Sequence, residues 1–96
     1  MTEDLDLSGF LLNEKPCRLL VAVGKRSEPF GKEISKEIDS TYSHTLRTVD
    51  RFEELGLISR ERRGRKMVLS LTEHGEAVAD ALENLFGAIR ETGGDM

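Results

Sequence analysis

The stretch LISRERRGRKMVLSLTEHG, Leu57 to Gly75, decides how the chain folds. In KMVLSL, Met67, Leu69 and Leu71 alternate with Lys66, Val68 and Ser70, the period of a half-buried strand. LISRER before it reads as a partner strand. The RGR between the two supplies the glycine that a tight hairpin loop needs. Thr72 then stands where a helix N-cap is expected. The hairpin is also intensely basic: Arg60 to Lys66 holds five cations in seven positions.

That charge is local, because the chain as a whole is acidic, at net −4. Residues 41–67 carry 7 basic and 4 acidic side chains, net +3, whereas residues 68–96 carry 1 and 6, net −5. Residues 1–40 carry 6 and 8, net −2. An anionic partner is therefore expected to meet the middle of the chain, and the acidic remainder steers it there.

Outward from the hairpin, the upstream half reads as three helices. NEKPCRLLVAV is a helix with Asn13 as cap and Pro16 in the first turn, where its missing N–H costs nothing; Gly24 is expected to end it. KRSEP is a loop. FGKEISKEID is a short helix with Ile34 and Ile38 on one face. STYSHTLRTVDRFEELG follows almost at once, with Leu46, Val49 and Phe52 at helical spacing and Gly56 as its end. Two short helices joined by so few residues make a helix-turn-helix candidate. Downstream, residues 73–91 read as a long amphipathic helix, its apolar stripe formed by Val78, Ala81, Leu82, Leu85, Phe86 and Ile89. Residues 1–9 and 92–96 read as loose tails, and Phe10 to Leu12 as a short strand or a first helical turn.

The expected architecture is thus one α+β domain, mostly helical, over residues 1–96: three helices, a two-stranded hairpin and a long C-terminal helix. This resembles a winged helix-turn-helix domain of the multiple-antibiotic-resistance (MarR) family and of shorter archaeal-type regulators. The residues that carry the resemblance are the Leu55-Gly56-Leu57-Ile58 helix end, the Gly64-Arg65 wing and the Leu71-Thr72-Glu73-His74-Gly75 helix start. It covers about residues 13–78 and implies a DNA-binding transcription regulator.

With Val49 at the centre of the buried face of helix 41–55, Tyr42 and Thr45 fall on the buried side. His44, Arg47 and Arg51 lie about 140–160° away, with Ser43 and Thr48 on the flanks. Tyr42, near the helix start, is expected to tuck its ring inside with its hydroxyl turned to phosphate. Arginine recognises guanine by two hydrogen bonds, and hydroxyls are less selective. The bland alternative is a solvated face in which Arg47 and Arg51 pair with Asp50 and Glu54. On the wing, Arg62, Arg63, Gly64, Arg65 and Lys66 form a thin cationic tip suited to the minor groove, whose negative potential attracts arginine. The bland alternative there is a solubilising loop. The expected contacts to double-stranded DNA are accordingly Tyr42, Ser43, His44, Arg47, Thr48, Arg51, Arg62, Arg63, Gly64, Arg65 and Lys66. Surplus apolar residues on the last helix, Leu82, Leu85, Phe86 and Ile89, are expected to form a homodimer interface.

Other classes find less in the sequence. His44 and His74 are 30 residues apart with no metal-ligand spacing around them. No nucleophile-and-base arrangement or phosphate-binding glycine loop occurs, so neither an enzyme nor a cofactor is expected. Cys17 is the one cysteine and reads as a core thiol. The acidic start lacks signal-peptide character, and no apolar run reaches the roughly 20 residues of a membrane span, so a cytoplasmic protein is expected. The alternative function is a winged-helix protein–protein adaptor, against which the retained arginines argue. An effector, an operator sequence and the sense of regulation are not legible.

Overall fold

The computed structural model describes residues 13–94. Its order is α1 (Glu14–Lys25), α2 (Gly31–Glu37), α3 (Tyr42–Glu54), β1 (Ile58–Arg63), β2 (Lys66–Leu71) and α4 (Glu73–Gly94). The expected winged helix-turn-helix architecture is present. Phe10 to Leu12 and the tail at residues 1–9 lie outside the described residues.

Helix α1 is the central strut. Leu19, Leu20, Ala22 and Val23 are buried, and with Ile34, Ile38, Val49, Phe52, Leu57, Ile58, Leu69, Ala79 and Leu82 they form one core. Each large side chain removed from water here contributes about 1.5–3 kcal/mol before the cost of ordering it. Asn13 occupies the N-cap position but makes no side-chain cap bond. Gly24 does not end the helix as expected. It sits in the last turn, where an added Cβ would lie 2.8 Å from Leu71 Cδ1, so it is small for the sake of packing.

The α2–α3 connection is as short as the sequence implies. Asp39 takes a left-handed backbone (φ 56°), and Lys15 Nζ donates to its carbonyl. Thr41 caps α3: its Oγ1 accepts from His44 N–H at 3.1 Å. At the other end Gly56, at φ +77°, donates to Glu53 O at 3.0 Å, and Leu57 N–H donates to Phe52 O at 2.9 Å. This paired termination satisfies two carbonyls and drives Leu57 into the core beside Phe52.

Strands β1 and β2 pair antiparallel with Ile58 opposite Leu71 and Arg63 opposite Lys66. Gly64 and Arg65 form the two-residue loop. Gly64 has φ +63° while Arg65 does not, the pattern of a type II′ turn. The expected alternation in β2 holds for Leu69 but not for Val68, which is also buried. The Pro29–Phe30 segment runs alongside it: Leu69 N–H donates to Pro29 O at 2.9 Å and Phe30 bridges Val68.

The LTEHG helix start and the LGLI helix end meet in one joint. Thr72 Oγ1 accepts from Gly75 N–H at 3.0 Å and donates to Gly56 O at 2.6 Å, while Thr72 N–H donates to Leu57 O at 3.0 Å. An added Cβ on Gly75 would lie 1.9 Å from that same Leu57 oxygen, so only glycine fits. Helix α4 then packs on α1 through Ala79 and Leu82, not through Ala81, which is exposed. It continues to Gly94, so residues 92–94, read from sequence as tail, are helical.

Candidate nucleic-acid interface

The exposed face of α3 carries Ser43, His44, Arg47 and Arg51, as the helical wheel predicts. Two corrections apply to that wheel. Thr48 is buried, with its hydroxyl donating to His44 O at 3.1 Å; it borders a depression with residues 13–16, so the start of α1 covers the flank assigned to it. Leu46 is half-buried rather than core. Tyr42 is half-buried, its ring packed on α2, where Gly31 leaves a gap: a Cβ there would lie 3.2 Å from Tyr42 Cε1.

Two of the three acids of α3, Asp50 and Glu53, are taken by Arg60 of β1. Arg60, side chain 28% exposed, ion-pairs with Asp50 at 2.5 Å and Glu53 at 3.0 Å and lies 3.9 Å from Met67 Sδ. Strand parity could have revealed it. Ile58 faces the core, so Arg60, two residues on, shares that face and projects toward the end of α3. Asp50 is therefore not the partner of Arg47. Among the described residues Arg47, Arg62 and Arg65 make no hydrogen bond or ion pair.

The other wing face carries Glu61, Arg63 and Lys66. Arg63 is exposed but committed: its guanidinium donates to both carboxylate oxygens of Glu28, at 3.2 and 3.1 Å, and to Glu61 at 3.1 Å. Contrary to the expectation of a uniformly free tip, this arginine is held. The hydrogen bond from Arg63 keeps the Glu28 carboxyl below the usual carboxylate range. Glu28 reaches it from a left-handed backbone, φ 48°, which is uncommon for a non-glycine residue. Lys66 Nζ sits 4.3 Å from the centroid of the Phe30 ring.

Tyr42, Arg65, Lys66, Phe30 and Lys32 line one cleft of about 270 Å³. The start of α3, the start of α2 and the wing tip thus share a single cationic surface.

On α4, Leu82 is largely buried in the core, yet it also lines the groove formed by the other residues expected at the dimer interface. Leu85 and Ile89 are 45% and 58% exposed. With Phe86, Cys17, Glu14 and Arg18 they line an apolar groove of about 470 Å³. Burial pushes the Cys17 thiol up, which keeps it protonated and unreactive. Among the described residues no group of His, Cys, Asp or Glu could hold a metal ion, and no helix is long and apolar enough to cross a membrane.

No family model and no curated protein matches the sequence. Solved structures match closely in shape. A protein from Archaeoglobus fulgidus superposes with a TM-score of 0.78 at 20% identity, over 84% of this chain and 93% of that one. FabT of Streptococcus pneumoniae, solved in complex with DNA, gives 0.77 at 23% identity, over 88% of this chain and 61% of its own. A MarR-family transcriptional regulator from Silicibacter pomeroyi gives 0.78 at 22% identity, over 94% and 64%. The chain thus spans under two thirds of the latter two proteins and nearly all of the first. Its fold is the winged helix of the MarR-family transcriptional regulators.

Proposed function

We propose that this chain is a sequence-specific transcription regulator that binds double-stranded DNA as a homodimer. Helix α3 enters the major groove and the wing tip meets the minor groove. One observation carries the reading: Arg60 neutralises Asp50 and Glu53, which leaves Arg47 uncompensated on the exposed face of α3. A solvated helix face would pair its arginines with its own acids. Arg47, with Ser43 and His44, is placed to read base edges, and Arg62, Arg65 and Lys66 to contact phosphate or the minor groove. The uncompensated Arg47 also argues against a protein–protein adaptor, which has no use for it. FabT, a protein of the same fold, is solved in complex with DNA, which supports DNA as the partner.

Arg47→Ala tests the reading. It is expected to cost about 1–3 kcal/mol on the preferred site and to relax preference at one base position. An identical selected sequence from wild type and variant would limit Arg47 to backbone contact. No binding of wild type to any duplex at low salt would end the proposal.

The homodimer rests on Leu85 and Ile89. Two large apolar residues in a row on an exposed helix face, beside a groove, suit a two-fold contact with a second copy. Such a pair sets two reading helices to meet half-sites about 34 Å apart. Sedimentation is expected to give a mass near twice 10.8 kDa, and a monomer for Leu85→Glu/Ile89→Glu. A wild type that sediments as a monomer at tens of micromolar would exclude the dimer.

A further inference from the structure

The turn between α2 and α3 sets how α3 leaves the core, and it closes without a glycine. Ser40 N–H donates to Ser35 O at 2.9 Å and Asp39 N–H to Lys36 O at 3.2 Å. This is a paired helix ending whose left-handed position, usually a glycine, is filled by Asp39 at φ 56°. Helix α2 has only seven residues, and its large buried side chains are Ile34 and, at the C-cap, Ile38. Two anchors four residues apart lie along one line of the helix and leave it free to roll about that line. Something must hold its end.

That hold comes from α1. Arg18 Nη2 donates to Glu37 O at 3.2 Å, and Lys15 Nζ donates to Asp39 O. Lys15 and Arg18 are three residues apart, so they share one face of α1. Both meet carbonyls at a helix end, where partners are short and a cation is favoured. Glu14 Oε2, 3.5 Å from Arg18 Nη1, steadies the same guanidinium. Arg26, further along α1, meets only side chains of α2: Glu33 at 3.7 Å and Glu37 at 2.7 Å. A pair of side chains can follow a rolling helix, whereas a bond to a carbonyl fixes a peptide plane. The first turn of α1 also borders α3, because residues 13–16 share a depression of about 400 Å³ with His44 and Thr48. One face of α1 thus meets the end of the first helix and the flank of the second.

We infer that Lys15 and Arg18 are positioning residues for sequence reading: they fix the bearing of α3 through the backbone of the turn before it. The inference rests on α3 being the reading helix. A cation that only adds to the positive field strengthens binding to every duplex alike. A cation that sets the bearing of α3 changes the discrimination between duplexes, because base-edge hydrogen bonds require alignment.

The test compares wild type with Lys15→Met/Arg18→Met and with the conservative Lys15→Arg. Lys15 is half-buried and Arg18 exposed, and methionine keeps an apolar stem in both places, so the core is left intact. Each protein is titrated, at several salt concentrations, with the duplex that wild type selects and with a random duplex of equal length. The double variant is expected to lower the ratio of the two affinities about tenfold, the worth of one well-made base contact. Its salt slope on the random duplex stays near that of wild type, and Lys15→Arg keeps the ratio. Without DNA, the Ser40 amide of the double variant exchanges faster than in wild type, while amides in the middle of α1 do not. Faster Ser40 exchange with an unchanged ratio would reduce the clamp to a support of the fold and overturn the inference. A slope lowered by about 0.9 per residue would overturn it too, by making Lys15 and Arg18 phosphate contacts. Unchanged Ser40 exchange would show that the clamp does not hold the turn, with the DNA reading left standing. Failure of wild type to bind any duplex would end the DNA reading, and this inference with it, whatever the amides show.

Discussion

The wing has a root and a tip built from the same run of basic residues, and they behave as different materials. At the root, Arg60 is largely covered and grips two acids of α3, while Leu57 O, Thr72 and Gly75 interlock with no room for one more carbon. At the tip, Arg62 and Arg65 have no partner among the described residues, and a Cβ on Gly64 would meet nothing within 4 Å. Arg63 is intermediate, exposed yet tied to Glu28. A cation whose partner is another part of the chain contributes to architecture. A cation without one is available to an outside anion. Five basic residues within seven positions thus divide by strand parity and loop position into clamp, tie and contact.

That contrast can be broken at several points. The largest effect is expected at the root. Gly75→Ala places a methyl 1.9 Å from a backbone oxygen that the joint cannot move, and should cost about 3 kcal/mol or more in denaturant unfolding. A loss below about 1 kcal/mol would mean that the joint is loose. Arg60→Met comes next. It keeps the stem that packs beside Met67 but leaves Asp50 and Glu53 unpaired, each about half exposed. Solvent screening limits the loss to about 1–2 kcal/mol. DNA affinity should fall as well, because two carboxylates then stand uncompensated on α3.

At the tip the expected signs separate. Arg62→Ala/Arg65→Ala should leave the unfolding midpoint within about 0.5 kcal/mol of wild type, yet lower the salt slope of DNA binding by roughly 0.9 per lost contact. A double variant that unfolds early but binds normally would reverse the assignment of root and tip. The smallest effect belongs to the tie. The Arg63 hydrogen bond depresses the folded-state pKa of Glu28, so its contribution is present above the unfolded carboxylate value of about 4.3 and is lost as pH falls through the lower folded value. Melting curves of wild type and Glu28→Gln should therefore differ by a constant small amount near neutral pH and converge below about pH 4. A gap that widens on acidification would refute that sign.

Much of this was legible beforehand, for local reasons. The Thr72 cap on Gly75 and the turns at Gly56 and Gly64 act through neighbours within a few residues, and the sequence displays such neighbours side by side. What was missed acts at longer range. Glu28 meets Arg63 across 35 positions, and no periodicity announces it. Thr48 looked like a flank residue because a wheel describes an isolated helix, whereas α1 closes over that flank. Gly24 looked like a helix stop because its close approach to Leu71 comes from the other end of the chain. Arg60 is the instructive omission. Its position two residues after Ile58 assigns it to the core face of β1, which net charge along the basic run does not display. The exposed arginines of α3 were placed correctly because exposure follows from the helix period.

The Thr72 joint makes α4 a lever whose short arm is α3. The hydroxyl of one residue is bonded to the end of one helix and the start of the other, and Gly75 seats the second helix directly on the turn that ends the first. The 22 residues of α4 extend about 33 Å from that pivot at about 1.5 Å per residue. A rotation of about 5° about the joint moves the far end of α4 by about 3 Å but the end of the 13-residue α3 by under about 2 Å. Play at Leu85 and Ile89 therefore reaches α3 scaled down, and whatever pins them fixes the bearing of α3 more finely than their own motion.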